Sequence, residues 1–252
     1  MDDAPIGIAT GQLTGDAPLD TAVSRAILLE VTEGSLGETI QVGTPHRVMA
    51  FGKHDTLSEG FGDAVSIAED HGYDPTVRIA GGRAVVFSPT IVRFSWTLPV
   101  RDPAASMHQR FRTLSDAVLR ALAAHGATDA AVGEIPLEYC AGEYSVNILG
   151  SRKVMGVGQR LTRSAAQVGG MIVVSDPDDI NEVLVPVYEA LGVPLDPGAT
   201  GSLADSIDVT PDDVAQTFVR ELAGGRPTTE LTLPASVHAR ARELRPHHVP
   251  KR

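Results

Sequence analysis

From residue 19 to residue 33, apolar side chains fall at Ala22, Val23, Ala26, Ile27 and Leu29. That spacing marks one face of a helix, with Asp20 or Thr21 placed to cap it. Short β-like runs follow at Glu38–Gly43 and Arg47–Gly52. The helical period returns at Phe61, Ala64, Val65 and Ala68, and Gly72 suits the end of that helix. Thr76–Pro99 is rich in Val, Ile, Phe and Trp and reads as strands broken by Gly81-Gly82 and Ser88-Pro89. Pro103–His125 is a long amphipathic helix with Gly126 beyond its end. Tyr144–Leu149, Lys153–Val157 and Gln167–Val174 are three more strands, separated by glycines.

After Ser175 the pattern becomes helices and proline-rich links: Asp178–Leu191, Pro211–Leu222 and Pro234–Leu244. Thr210 is placed to cap the second of these, with Pro211 at its first position and acids in its first turn. Grouped strands followed by helices predict an α+β chain: a mixed β-sheet core flanked by helices, with a C-terminal helical segment. The reading divides into a flexible N-terminal arm (1–18), a main domain (19–177) and a C-terminal helical appendage (178–252). The last eight residues are expected to be mobile.

Composition narrows the function classes. The 252 residues are 42% apolar, with a mean hydropathy of +0.01. The sequence has no run of the roughly 18 apolar residues that crosses a bilayer, and its first residues are acidic rather than signal-like. The one cysteine, Cys140, excludes an internal disulfide, so a cytoplasmic location is expected. A net charge of −11 argues against nucleic-acid and anionic-membrane partners. One cysteine and no ligand-spaced histidine pair argue against a metal site.

Acids are unevenly spread. Residues 75–101 hold none but carry Arg78, Arg83, Arg93 and Arg101; residues 144–175 hold none but carry Arg152, Lys153, Arg160 and Arg163. Either one site faces an anion or acidic partner, or buried strands simply exclude acids. Lysine occurs three times against 18 arginines. A lysine kept inside a segment then suggests chemistry that needs a group able to lose its proton.

Three segments carry candidate chemistry. In Arg78-Ile79-Ala80-Gly81-Gly82-Arg83-Ala84, adjacent glycines let a ligand approach backbone N–H groups, although a Gly-Gly between strands is also an ordinary turn. In Glu138-Tyr139-Cys140-Ala141-Gly142-Glu143-Tyr144, the cysteine sits in a loop before a strand rather than in a plain core setting. In Lys153-Val154-Met155-Gly156-Val157-Gly158-Gln159-Arg160, a strand lysine is followed by small residues, either beside a cleft or on a solvated hairpin.

Together these segments resemble the biotin/lipoate protein ligase superfamily, whose lipoate branch shows an Arg-x-x-Gly-Gly turn and then a Lys hairpin ending in Gln-Arg. Phe51-Gly52-Lys53-His54-Asp55 resembles that family's upstream element. Tyr139-Cys140-Ala141-Gly142-Glu143-Tyr144 resembles the cysteine segment of its octanoyl/lipoyl amidotransferase subgroup, with Ala141 in place of proline. The resemblance spans roughly Leu19 to Tyr188 and implies the catalytic-domain fold of that superfamily for 19–177. It implies Cys140 as acyl carrier and Lys153 as its catalytic partner. It also implies a substrate site at Arg78, Gly81, Gly82, Arg83, Ala84, Tyr144, Gly156 and Gln159, and a tunnel lined by Val85–Phe87 and Met155–Val157. The transferase needs no cofactor. It takes an acyl-bearing donor and an acidic lipoyl-domain or glycine cleavage H protein acceptor, docked by Arg152, Arg160 and Arg163. The alternatives are an ATP- and magnesium-dependent lipoate–protein ligase, with Cys140 merely structural, and a non-catalytic lipoyl-domain binder.

Overall fold

The computed structural model describes residues 4–11 and 13–251. Strands β1 (Ile6–Thr10), β2 (Thr39–Gly43), β3 (Val48–Phe51), β4 (Asp74–Val77), β5 (Val85–Phe87), β6 (Ile91–Pro99), β7 (Ala131–Val132), β8 (Val146–Ile148), β9 (Arg152–Leu161), β10 (Ala165–Val173) and β11 (Thr228–Glu230) form two sheets. The larger runs β11-β1-β2-β6-β10-β9-β8-β7; the smaller runs β4-β3-β5. The helices are α1 (Ala17–Glu33), α2 (Phe61–Asp70), α3 (Met107–Ala124), α4 (Pro177–Ala190), α5 (Pro211–Ala223) and α6 (Ala235–Leu244). This is the α+β architecture expected, with parallel and antiparallel pairs mixed in the large sheet.

The period-2 alternation of β6 sorts the layers. Val92, Phe94 and Trp96 enter one core with Leu114 and Val118 of α3 and Phe218 of α5. Ile91 enters a second core on the opposite side, with the small sheet, α2 and α4. Arg93 and Ser95 share that opposite side but line a cavity. The two sheets and α1 therefore enclose a cleft walled by β3, β5, β6, β9 and β10.

Helix α1 is capped one turn earlier than its apolar pattern suggests. Asp16 accepts a hydrogen bond from Leu19 N at 2.9 Å, and neither Asp20 nor Thr21 caps it. Thr210 does cap α5, accepting from Asp213 N at 3.2 Å.

The terminal segments differ most from expectation. Residues 6–10, placed in a loose arm, form an interior strand: β1 pairs in parallel with both β2 and β11, and Ile6 is buried. Polar composition around it hid a five-residue strand whose partners lie far along the chain. The first three residues of that arm lie outside the described residues. The C-terminal stretch is likewise no separate appendage. Phe218 sits in the main core, β11 extends the large sheet and α6 packs on α1. The end of the chain, expected to be mobile, is tied down at His248: its carbonyl accepts from Val77 N at 2.8 Å, and its Nδ1 lies 2.7 Å from Val77 O.

Candidate active site

The strand β4 runs into Arg78, and the turn after it brings Gly82 and Arg83 back beside the loop that carries Cys140. Cys140 is half-buried and has a positive φ of 43°. Its Sγ accepts from Arg78 Nη2 at 3.0 Å and from the Arg83 N–H at 3.3 Å. Its backbone N–H donates to the Tyr188 hydroxyl at 2.7 Å, and that hydroxyl donates to Ala84 O at 2.9 Å. Gly82, at φ 94°, favours glycine here: a Cβ would come within 2.6 Å of the sulfur, which would have to shift. Arg83 is anchored in turn by Asp55, a buried carboxylate 3.3 Å from its guanidinium that also accepts from Gly52 N at 2.8 Å.

Lys153 is the second residue of strand β9 and is fully buried. Its ammonium donates to Glu138 Oε1 at 2.9 Å, Tyr139 O at 2.8 Å and Cys140 O at 2.9 Å. It thus spends all three donors on the cysteine loop. Glu138, also buried, accepts from Ile135 N at 3.2 Å, Gly142 N at 3.1 Å and Ser145 Oγ at 2.7 Å. One carboxylate therefore fixes both flanks of the Cys140 turn. Gly156 leaves room for the lysine stem, since a Cβ there would meet Lys153 Cε at 3.2 Å.

The electrostatics follow from this packing. Burial pushes the Cys140 thiol up, but Arg78, Lys153 and the Arg83 N–H outweigh it and hold the thiol below its ordinary value. Burial draws the Lys153 ammonium down from the usual lysine range, against the pull of Glu138. With the sulfur ionised, Arg78 and Lys153 balance Glu138 and Cys140. With it protonated, the cluster carries a surplus positive charge out of water.

Of the residues named from the motifs, Arg78, Cys140, Lys153 and Gly156 line the cleft. Val85, Phe87 and Val157 line it too, while Met155 turns into the opposite core. Gly81, Gly82, Arg83 and Ala84 are not part of the cleft lining, and the two glycines are exposed; Arg83 N, rather than a glycine N–H, reaches the sulfur. Tyr144 and Gln159 are not part of the cleft lining. The Tyr144 ring stacks on Phe111 at 4.9 Å, and its hydroxyl lies 3.0 Å from His108. Gln159 accepts from Arg110 at 2.6 Å, because alternation along β9 turns it to the α3 side. Arg160 and Arg163 are exposed, and Arg152 pairs with Asp205 at 3.0 Å. The motifs gave no role to Glu138, Asp55 or Tyr188. The first two lay inside quoted segments, and a carboxylate two residues before a lone cysteine is a readable signal; Tyr188 had none.

Residues 16–223 match the family described as lipoyl protein ligase A/B catalytic domain. The chain belongs to this family. Within the lipoyl protein ligase A/B family, it is 30% identical over 153 residues to an octanoyl-GcvH:protein N-octanoyltransferase of Bacillus velezensis, covering 61% of this chain and 53% of that protein. It is 28% identical over 153 residues to the protein of the same name from Geobacillus kaustophilus, with the same shares. The chain thus spans about half the length of the curated relatives it matches. Its fold is that of lipoate-protein ligase A solved with ATP (TM-score 0.77, 21% identity, 96% of this chain and 95% of that one). It is also that of the T. acidophilum lipoate protein ligase solved with lipoic acid (TM-score 0.76, 20% identity, 96% and 94%). Among the described residues, no group of His, Cys, Asp and Glu is arranged to hold a metal ion, and no helix is long and apolar enough to cross a membrane.

Proposed function

We propose that this protein is an acyltransferase that carries an octanoyl or lipoyl group on Cys140 and passes it to a lysine amine of an acceptor protein. The observation that carries the reading is the sulfur at the wall of an apolar cleft, held by Arg78 at 3.0 Å and by Arg83 N–H at 3.3 Å. The relatives' names support it: each of those proteins is called an octanoyl-GcvH:protein N-octanoyltransferase. GcvH-type proteins and lipoyl domains are the partners this implies, with the exposed Arg160 and Arg163 available to an acidic surface.

The Cys140 thiolate attacks the donor's acyl carbonyl, and the carbonyl π pair moves to oxygen. As the sulfur loses its charge, the Arg78 guanidinium and Arg83 N–H turn to the developing oxyanion. The oxyanion collapses, the bond to the donor heteroatom breaks, and the leaving group takes a proton. An acceptor amine then attacks the thioester, gives up a proton and releases the thiolate. The two halves balance, and no ATP or magnesium enters. Lys153, lowered by burial, is the group able to lend and recover that proton by releasing one of its three donations. In the resting arrangement it polarises Cys140 and holds the loop.

The test is acyl transfer between an octanoylated GcvH-type donor and a lipoyl-domain acceptor without nucleotide. Transfer in the absence of ATP supports the reading. Acceptor modification only from free lipoate with ATP and magnesium would replace it with the ligase reaction.

A further inference from the structure

The cleft does not end in hydrocarbon. Cross-strand pairing sets Gly156 of β9 opposite Met171 of β10, and Met171 opposite Arg93 of β6. Lys153 packs on Gly156, so Arg93 lies two strand spacings, about 9–10 Å, from the Lys153 end. An extended eight-carbon chain is of that order.

At this far end several polar atoms have no hydrogen-bond partner among the described residues. The only hydrogen bond of the Arg93 guanidinium among the described residues goes to Ser24 Oγ, at 2.6 Å. Asp20 and Ser95 are each 6% exposed; Asp20 Oδ1 accepts from Thr14 N and Oγ1 at 2.7 and 2.8 Å, but Asp20 Oδ2 and Ser95 Oγ have no hydrogen-bond partner among the described residues. Both ring nitrogens of His46 are in the same state, with Nδ1 3.9 Å from Asp20 Oδ2. All of these side chains line the cleft. A plain methyl terminus pressed against them displaces water and returns no hydrogen bond, which costs free energy at each stripped polar atom.

Building on the acyl-transfer reading, we infer that Arg93, with Asp20 and Ser95, reads the far end of the acyl chain and favours one whose terminus carries heteroatoms, such as the sulfurs of a lipoyl ring, over a plain octanoyl chain. The guanidinium supplies donors to sulfur lone pairs, and Asp20 accepts from a thiol when the ring is reduced. Octanoyl enters the same space and leaves Asp20 Oδ2 and Ser95 Oγ unpaired.

The experiment compares the rate of Cys140 acylation from matched donor proteins carrying lipoyl or octanoyl, followed by quenched intact mass, in the native sequence and in Arg93→Leu and Ser95→Ala. The native protein should favour lipoyl about tenfold, the scale a single pocket contact supplies. Arg93→Leu should reverse that preference by raising octanoyl acylation and lowering lipoyl acylation, and Ser95→Ala should shift it the same way by less. Ser95→Ala keeps the test alive if Arg93→Leu misfolds. A native octanoyl preference, or one that neither variant moves, overturns the inference and leaves the transfer chemistry standing. Failure to acylate Cys140 from either donor overturns the underlying function instead.

Discussion

Glu138 and Lys153 form an ion pair at 2.9 Å in which both side chains are fully shielded from solvent, and each also bonds to the loop that presents Cys140. Breaking one partner leaves the other charged and buried. Glu138→Gln should therefore destabilise the fold by about 3–5 kcal/mol, visible in chemical denaturation. A double replacement, Glu138→Gln with Lys153→Met, should recover much of that loss while the thiol stays less reactive. That split separates the structural role of the pair from its electrostatic one.

The thiol's acidity supplies a pH prediction. Cys140 is held below the ordinary thiol value of about 8.5, with burial opposing and Arg78 the leading favourable charge. Its alkylation rate should therefore reach a plateau at a lower pH than that of a free thiol. Arg78→Met should shift the inflection upward. The sign for stability follows: a depressed acid contributes stability present above its unfolded pKa and lost as pH falls through the folded one. The stability difference between native protein and Cys140→Ser should grow with pH across that window. An unmoved alkylation profile in Arg78→Met would show that the guanidinium does not hold the thiolate.

Any side chain at Gly82 would be strained and would displace its neighbours. At φ 94°, with a would-be Cβ 2.6 Å from Cys140 Sγ, Gly82→Ala should cost about 1–3 kcal/mol and suppress thiol reactivity more than it lowers the melting temperature. The control is Gly81→Ala, where a Cβ meets nothing within 4 Å.

Tyr188→Phe removes one hydroxyl that serves two backbone groups, Cys140 N–H and Ala84 C=O. Two buried polar groups left unpaired should cost about 1–3 kcal/mol each. Faster amide exchange should appear at Cys140.

Much of this was legible in the chain because local signals and tertiary packing agree. The α5 cap at Thr210, the helical period of α2 and the run of β9 all follow from a few residues in sequence. The Arg78 turn, Cys140 and Lys153 stood out in the sequence, since glycines, a lone cysteine and a rare lysine are unusual choices, and the structure brings them into contact. Terminal strands were not. β1 is five residues long, and its partners β2 and β11 begin some thirty and two hundred residues later, so no local period marks it. Tyr144 and Gln159 illustrate a second limit. They belong to the right segments, but the side a residue faces depends on strand register, which spacing to a motif does not encode. The polar end of the cleft was equally hidden, because Asp20, Arg93 and Ser95 meet only through packing of α1 on the large sheet.

The central claim is that the acyl group rests covalently on one sulfur. The most direct measurement is intact mass of the protein quenched after seconds with an octanoylated GcvH-type donor, followed by peptide mapping. The expected result is a single added octanoyl group on Cys140, discharged by acceptor and absent from Cys140→Ser. Undiminished transfer to acceptor by Cys140→Ser would contradict it.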